Sequence, residues 1–188
     1  MNDNVVTIIP NFITQEECNI LNTWVKKAIE NKWLDSGITT GGKVGYNGRL
    51  TTRLYADRFD SYCSLAYKIQ ERIRKQLSLN IEPISILGGG KHGIVVSNTL
   101  PGGDVYYHSD PLEMGGCHVL RCNIITQMAD SGAVLTVNNN TINVGQGDLH
   151  CYLASKYKHS VTTVTGTSSR ILWMFGFQIK DTEWENKC

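Results

Sequence analysis

The sequence predicts a single mainly β domain with supporting helices, an antiparallel sandwich or barrel carrying its helices on one face. Three observations lead there. Two stretches with helical apolar spacing fall within residues 1–80, short β-rich runs separated by Gly, Asn and Asp fill the chain from Pro83 onward, and 188 residues suffice for one well-buried core without room for a second.

A short apolar strand, Val5 to Ile9, comes first, and Pro10 ends it. Thr14 with Glu17 three residues on is a capping-box signature, because each side chain can reach the other's backbone N–H. Leu21, Trp24, Val25, Ala28 and Ile29 follow at helical spacing, so a helix is expected from about Gln15 to Asn31. The Gly-rich stretch from Ser36 to Gly48 reads as a mobile loop, and Leu50 to Tyr55 as a strand after it. A second helix is expected from about Ser61 to Leu79, with Leu65, Ile69, Ile73 and Leu77 along one side and Lys68, Arg72 and Lys75 opposite. The β-rich runs are Ile84 to Leu87, Ile94 to Asn98, Val105 to His108, Val119 to Met128, Ala133 to Val137, Thr141 to Val144, Asp148 to Tyr152, His159 to Val164 and Ile171 to Ile179. Between two of them Asn138-Asn139-Asn140 marks a hairpin tip, since Asn tolerates positive φ.

Composition excludes some classes of function. A formal charge of +1 creates no field strong enough to steer nucleic acid or an anionic membrane, so partner choice must come from a local site. The start, Met1-Asn-Asp-Asn, lacks the basic and apolar segments of a secretory signal, and the most apolar run, Ile171 to Phe177, is too short to span a bilayer. A cytoplasmic protein is expected. Its six cysteines are scattered through the expected elements of a chain that needs no stapling, which points to reduced thiols.

His108 and Asp110 stand two apart at a strand end, so both side chains point to one face, as two ligands of one metal ion require. Alone, such a pair is common by chance and reads equally well as a hydrogen-bonded surface pair. His159 on a separate strand and Arg170 on the next change its weight. Two imidazoles and one carboxylate on one side of a metal leave three positions open, which suits Fe(II) that must accept a bidentate cosubstrate and then dioxygen. The fork of donors on Arg170 matches the far carboxylate of a dicarboxylate.

Arg121 and Asn123 share one side of the strand after the His-x-Asp turn. Facing inward, Asn123 would touch the cosubstrate and Arg121 would line the substrate mouth; facing outward, both are an exposed polar strand face. A zinc site from His92, His118 and His150 with Cys117, Cys122 and Cys151 is disfavoured, because the spacings make no paired knuckles and the adjacent His150 and Cys151 face opposite ways. The segments Gly41 to Gly48 and Gly88 to Gly93 lack the Gly-Lys-Ser/Thr ending of a phosphate cradle and read as lid loops.

Three stretches bear a family likeness: Leu100-Pro-Gly-Gly-Asp-Val-Tyr-Tyr-His-Ser-Asp110, Gly145-Gln-Gly-Asp-Leu-His-Cys-Tyr152, and His159-Ser-Val-Thr-Thr-Val-Thr-Gly-Thr-Ser-Ser-Arg-Ile-Leu-Trp173. In order and spacing they resemble the motifs of the Fe(II)- and 2-oxoglutarate-dependent oxygenases, and among them the prolyl 4-hydroxylase-like branch. The likeness covers roughly the C-terminal half, and the two preceding helices suit the same layout. It implies a double-stranded β-helix (jelly-roll, cupin-like) core over residues 81–180, with the helical support region 1–80 packed on one face of a single domain spanning 1–188. It also implies iron held by His108, Asp110 and His159, with 2-oxoglutarate bound through its 1-carboxylate and 2-keto oxygen and its 5-carboxylate on Arg170.

The interval from His159 to Arg170 is slightly longer than the branch's, with an extra residue in the Gly166-Thr-Ser-Ser169 turn. Leu172 stands where the family often has a hydroxyl, so Tyr106, on the strand face of His108, becomes the candidate to assist Arg170. Arg49 and Arg53 fall where the branch carries a basic residue beside its substrate groove, solvated charge being the alternative. The reaction implied is hydroxylation of an unactivated C–H bond by dioxygen, with 2-oxoglutarate leaving as succinate and carbon dioxide. A prolyl residue in a peptide or protein is the first substrate expected and a free amino acid or other small metabolite the second. The rival classes are a non-catalytic β-sandwich binding module and a zinc hydrolase using the same ligands.

Overall fold

The expected capping box is present. In the computed structural model, which describes residues 5–34, 49–53, 63–78, 81–84, 93–112 and 117–179, it opens helix α1 (Gln15–Glu30). Thr14 Oγ1 accepts from the Glu17 N–H at 3.2 Å, and the Glu17 carboxylate accepts from the Thr14 N–H at 2.9 Å. The buried stripe of α1 is Cys18, Leu21, Val25 and Ala28. Ile29, expected in that stripe, lies one step round from Ala28 and is exposed. Helix α2 (Ser64–Leu77) buries Ala66, Ile69, Ile73 and Leu77, and its Arg72 grips the Glu17 carboxylate with both terminal nitrogens at 3.1 and 3.2 Å. The residue that caps one helix therefore also ties the two together.

The strands are β1 (Thr7–Ile9), β2 (Arg49–Arg53), β3 (Glu82–Pro83), β4 (Ile94–Thr99), β5 (Val105–His108), β6 (His118–Gln127), β7 (Ser131–Gly132), β8 (Leu135–Val137), β9 (Asn140–Ile142), β10 (Leu149–Leu153), β11 (His159–Val161), β12 (Val164–Thr165) and β13 (Arg170–Ile179). The run expected over Ile84 to Leu87 starts earlier, as β3, and residues 85–87 lie outside the described residues. His159 to Val164 divides into β11 and β12, while β7 is too short and polar to carry a period-2 signal. The proposed lid segments, 36–48 and most of 88–93, are outside the described residues.

A seven-stranded sheet runs β1-β10-β6-β13-β4-β2, with β3 also on β13, and a four-stranded sheet runs β5-β11-β8-β9. Residues 1–80 thus supply more than support, because β1 and β2 form both ends of the larger sheet's strand order. Val137 pairs with Asn140 across β8 and β9, leaving Asn138 and Asn139 as a two-residue loop with φ of 48° and 64°; that is the mirror-image turn whose twist suits a hairpin.

Alternation along β13 assigns the faces of the larger sheet. Ile171, Trp173, Phe175 and Phe177 join Leu120, Cys122 and Ile124 of β6 and the stripes of both helices in the main core. Trp24 of α1 packs edge-on against Trp173, centroids 5.4 Å apart. On the opposite face Tyr152 of β10 packs with Val105, Leu135, Val137 and Val161 of the smaller sheet, so this face looks into the space between the sheets. Arg121, Asn123 and Ile125 of β6, His150 of β10, and Arg170, Leu172 and Met174 of β13 share that inner face through their cross-strand pairing.

Gly147 fixes how the N-terminal segment enters. Its carbonyl accepts from the Ile13 N–H at 3.0 Å, its φ is +82°, and a Cβ there would stand 2.7 Å from the Ile13 carbonyl oxygen. Asp148 accepts from the Asn11 N–H at 2.9 Å and from the Gly145 N–H at 2.7 Å. The Gly-Gln-Gly-Asp stretch accordingly docks the start of α1 onto β10.

Candidate metal centre

His108 and His159 meet as direct cross-strand partners of β5 and β11, which brings their ring centroids to 4.4 Å. Between this pair and the Val105–Val161 pair, β5 takes three steps where β11 takes two. The resulting bulge lets Val105 pack inward at one end of β5 and His108 turn to the same side at the other, with Tyr107 left 44% exposed. Asp110 follows in the next turn, where its backbone N–H is pinned to the Ala154 carbonyl at 2.9 Å.

One ligand atom each from His108, Asp110 and His159 lies within 4.8 Å of the others, and the His108 Nε2 to Asp110 Oδ1 distance is 3.7 Å. Donors around one ion with bonds of about 2.1 Å stand about 3–4 Å apart, so a modest closing movement completes the set. Among the described residues it is the only group of three or more His, Cys, Asp or Glu side chains placed to share an ion.

Hydrogen bonds prepare the imidazoles for that role. The Nδ1 atoms of His108 and His159 face the carbonyls of Tyr106 and Tyr157 at 2.7 and 3.2 Å. A proton on each Nδ1 leaves each Nε2 with a free lone pair. Burial lowers the pKa of His159 to about 4, against the pull of the Asp110 charge, so this ring is neutral at physiological pH and can coordinate without first losing a proton.

Arg121 lies inside, not at the mouth of the site. Its Nε donates to Asp110 Oδ2 at 3.0 Å, and both side chains are nearly buried. The pair fixes the carboxylate and leaves Oδ1 on the histidine side. Asn123 is also buried, which removes the exposed-strand reading for both residues, and it hydrogen-bonds the Tyr152 hydroxyl. Tyr152 stands with its ring 5.2 Å from that of His159, and burial with the Asp110 charge pushes its pKa up to about 12.

Arg170 is 2% exposed on the inner face, and the groups that feel its charge are His150 and Tyr152. Tyr106 stands beside His108, their ring centroids 4.9 Å apart. The side chains of Arg49 and Arg53, on β2, lie outside the described residues. The sequence reading missed His150 and Tyr152 as members of the site. Their inward alternation on β10 was available as a signal, but which face of that strand meets the smaller sheet was not.

Cys18, Cys63, Cys117, Cys122 and Cys151 are free thiols, and Cys188 is outside the described residues. His118 Nδ1 meets Ser155 Oγ at 2.9 Å, Cys151 joins the main core while His150 faces the other way, and His92 is outside the described residues. No helix among the described residues is long and apolar enough to cross a membrane. In the long turn before Arg170, the Asp130 carboxylate accepts from the Thr167 and Ser168 backbone N–H groups at 2.7 and 3.0 Å.

No protein-family profile matches the chain, and no curated protein sequence does. Solved structures match over nearly its whole length. A prolyl hydroxylase from Trichoplax adhaerens, in complex with a hypoxia inducible factor oxygen degradation domain peptide fragment, superposes with a TM-score of 0.71 at 15% identity, covering 97% of this chain and 86% of that one. The viral collagen prolyl hydroxylase of Paramecium bursaria Chlorella virus-1, as its 2-oxoglutarate complex, gives 0.62 at 14%, covering 95% and 98%. HygX from Streptomyces hygroscopicus, with nickel, 2-oxoglutarate and hygromycin B bound, gives 0.59 at 11%, covering 93% and 82%. The chain has the double-stranded β-helix fold of the 2-oxoglutarate oxygenases, in its prolyl 4-hydroxylase-like form.

Proposed function

We propose that the protein is an Fe(II)- and 2-oxoglutarate-dependent dioxygenase that hydroxylates an unactivated C–H bond, with a prolyl residue of a peptide or protein as its substrate. One observation carries the reading: two imidazoles with Nε2 free and one carboxylate converge on the inner face that also holds the buried Arg170. The donor chemistry fits a ferrous ion, since two neutral nitrogens and one anionic oxygen leave positions for a bidentate 2-oxo acid and for dioxygen. When bound, iron and 2-oxoglutarate supply the oxidising power that inserts one oxygen atom into the substrate C–H bond while the other leaves in succinate, with carbon dioxide released.

The chain's own part is placement and exclusion. Arg121 holds Asp110 in one orientation, the Tyr106 and Tyr157 carbonyls hold the histidines, and Arg170 offers its guanidinium to the distal carboxylate. Val95, Ile125, Leu172 and Met174 form an apolar cluster on the same inner face, which strengthens any charged pairing there by keeping water away. Tyr106, its ring 4.9 Å from that of His108, and Asn123, hydrogen-bonded to Tyr152, are the further residues proposed to contact the bound acid. A second reading has its own support: the fold also serves HygX, which carries hygromycin B, so a small-molecule substrate suits the same scaffold.

A succinate-release screen over proline-containing peptides, free amino acids and other small metabolites tests reaction and substrate together. Asp110→Ala and His108→Ala are expected to abolish succinate formation with the circular dichroism spectrum unchanged. Undiminished turnover in either variant would remove the metal assignment.

A further inference from the structure

The inner face near Arg170 contains a polar group that the reading above leaves without a task. His150 is 1% exposed, and its Nδ1 has no hydrogen-bond partner among the described residues. Directly across the β10–β6 pairing stands Asn123, whose Oδ1 also lacks one among the described residues. Two such atoms on one buried face are polar groups for which a bound ligand can supply the partners. The apolar neighbours, Ile125, Leu172 and Met174, offer neither a donor nor a strong acceptor from their side chains.

We infer that His150 donates its Nδ1 proton to the distal carboxylate of the 2-oxoglutarate held by Arg170, and so acts as the second anchor of the diacid's tail. The inference rests on the oxygenase reading and adds to it a residue specific to this chain. Charge supports the choice of imidazole. Burial, and then the nearby Arg170 charge, lower the His150 pKa to about 3, so at neutral pH the ring is an uncharged donor. One guanidinium and one carboxylate then balance, and the neutral N–H adds a bond without leaving an excess positive charge in a dry site. Asn123 is compatible, because an amide turned over about its last bond gives its oxygen to the Tyr152 hydroxyl proton and its NH2 to the ligand.

The test is calorimetric titration of the manganese-loaded protein with two probes: 2-oxoglutarate, and oxalate, which offers only a chelating end. His150→Leu is expected to lose affinity for 2-oxoglutarate by about tenfold or more while binding oxalate as the wild type does. His150→Asn, whose amide NH2 falls near the position of Nδ1, restores most of the loss. Unchanged 2-oxoglutarate binding by His150→Leu, or an equal loss for both probes, overturns the assignment and leaves the oxygenase reading standing. Failure of the wild type to bind 2-oxoglutarate overturns both. Should the leucine variant not fold, nitrogen NMR of the zinc-loaded wild type decides: 2-oxoglutarate, and not oxalate, must shift the protonated Nδ1 resonance of His150, and an unmoved resonance overturns the inference.

Discussion

Arg121 and Arg170 are both buried cations on one face of one sheet, yet their surroundings give them different work. Arg121 is bonded to Asp110, so its loss leaves a nearly buried carboxylate without its partner. Arg121→Met is expected to weaken manganese binding by roughly 10–100-fold, the usual effect of removing a group that orients a metal ligand, and calorimetry on the apoprotein measures it. The role proposed for Arg170 is on the cosubstrate instead. Arg170→Ala is expected to raise the KM for 2-oxoglutarate about tenfold or more, because a charge-assisted pair in a dry site is worth roughly 1.5–3 kcal/mol, while metal affinity stays as it was. An unaltered KM would transfer the distal carboxylate to another residue.

At the scale of elements, the helix behind the larger sheet holds the β6 wall in place. Asn22 of α1 donates to the Thr126 carbonyl at 2.9 Å and accepts from the Thr126 hydroxyl at 2.6 Å, joining helix and strand by two bonds. At the N-terminus of α1, Glu17 caps the helix and binds Arg72 of α2. Burial pushes its pKa up, but the bonds from Arg72 and Thr14 outweigh that and hold it below the usual carboxylate value. Thr14→Ala is expected to cost about 1 kcal/mol of folding stability in chemical denaturation. A cost near zero would mean that the Arg72 contact alone keeps the helix start in place.

For the molecule as a whole, His150 links stability to pH. Its folded pKa of about 3 is below the ordinary histidine value, so between about 6.5 and 3 the unfolded chain binds a proton that the folded chain refuses. The stability it confers is therefore complete above pH 6.5 and declines as the pH falls, by about 1.4 kcal/mol per pH unit for one such group. His150→Leu is expected to flatten the slope of unfolding free energy between pH 6 and pH 4. A wild-type slope retained in the variant would assign acid sensitivity to other groups.

The elements were legible because their signals are local. The Thr14 and Glu17 capping box, the period of α2, the Asn138–Asn139 turn and the alternation of β10 and β13 each depend on a few neighbouring residues and on backbone geometry that no tertiary contact has to supply. The candidate metal group was legible for a related reason, since a His-x-Asp pair at a strand end already shares a face, and the likeness of motifs named the distant histidine. Strand pairing decided the rest. Arg121 could not be matched to Asp110, Tyr152 to His159, nor His150 to the face that holds Arg170, until β6, β10 and β13 lay side by side with one face toward the smaller sheet. Alternation divides a strand into two faces, but only its neighbours make one of them the inside, because burial and desolvation belong to the assembled sheets and not to any single strand.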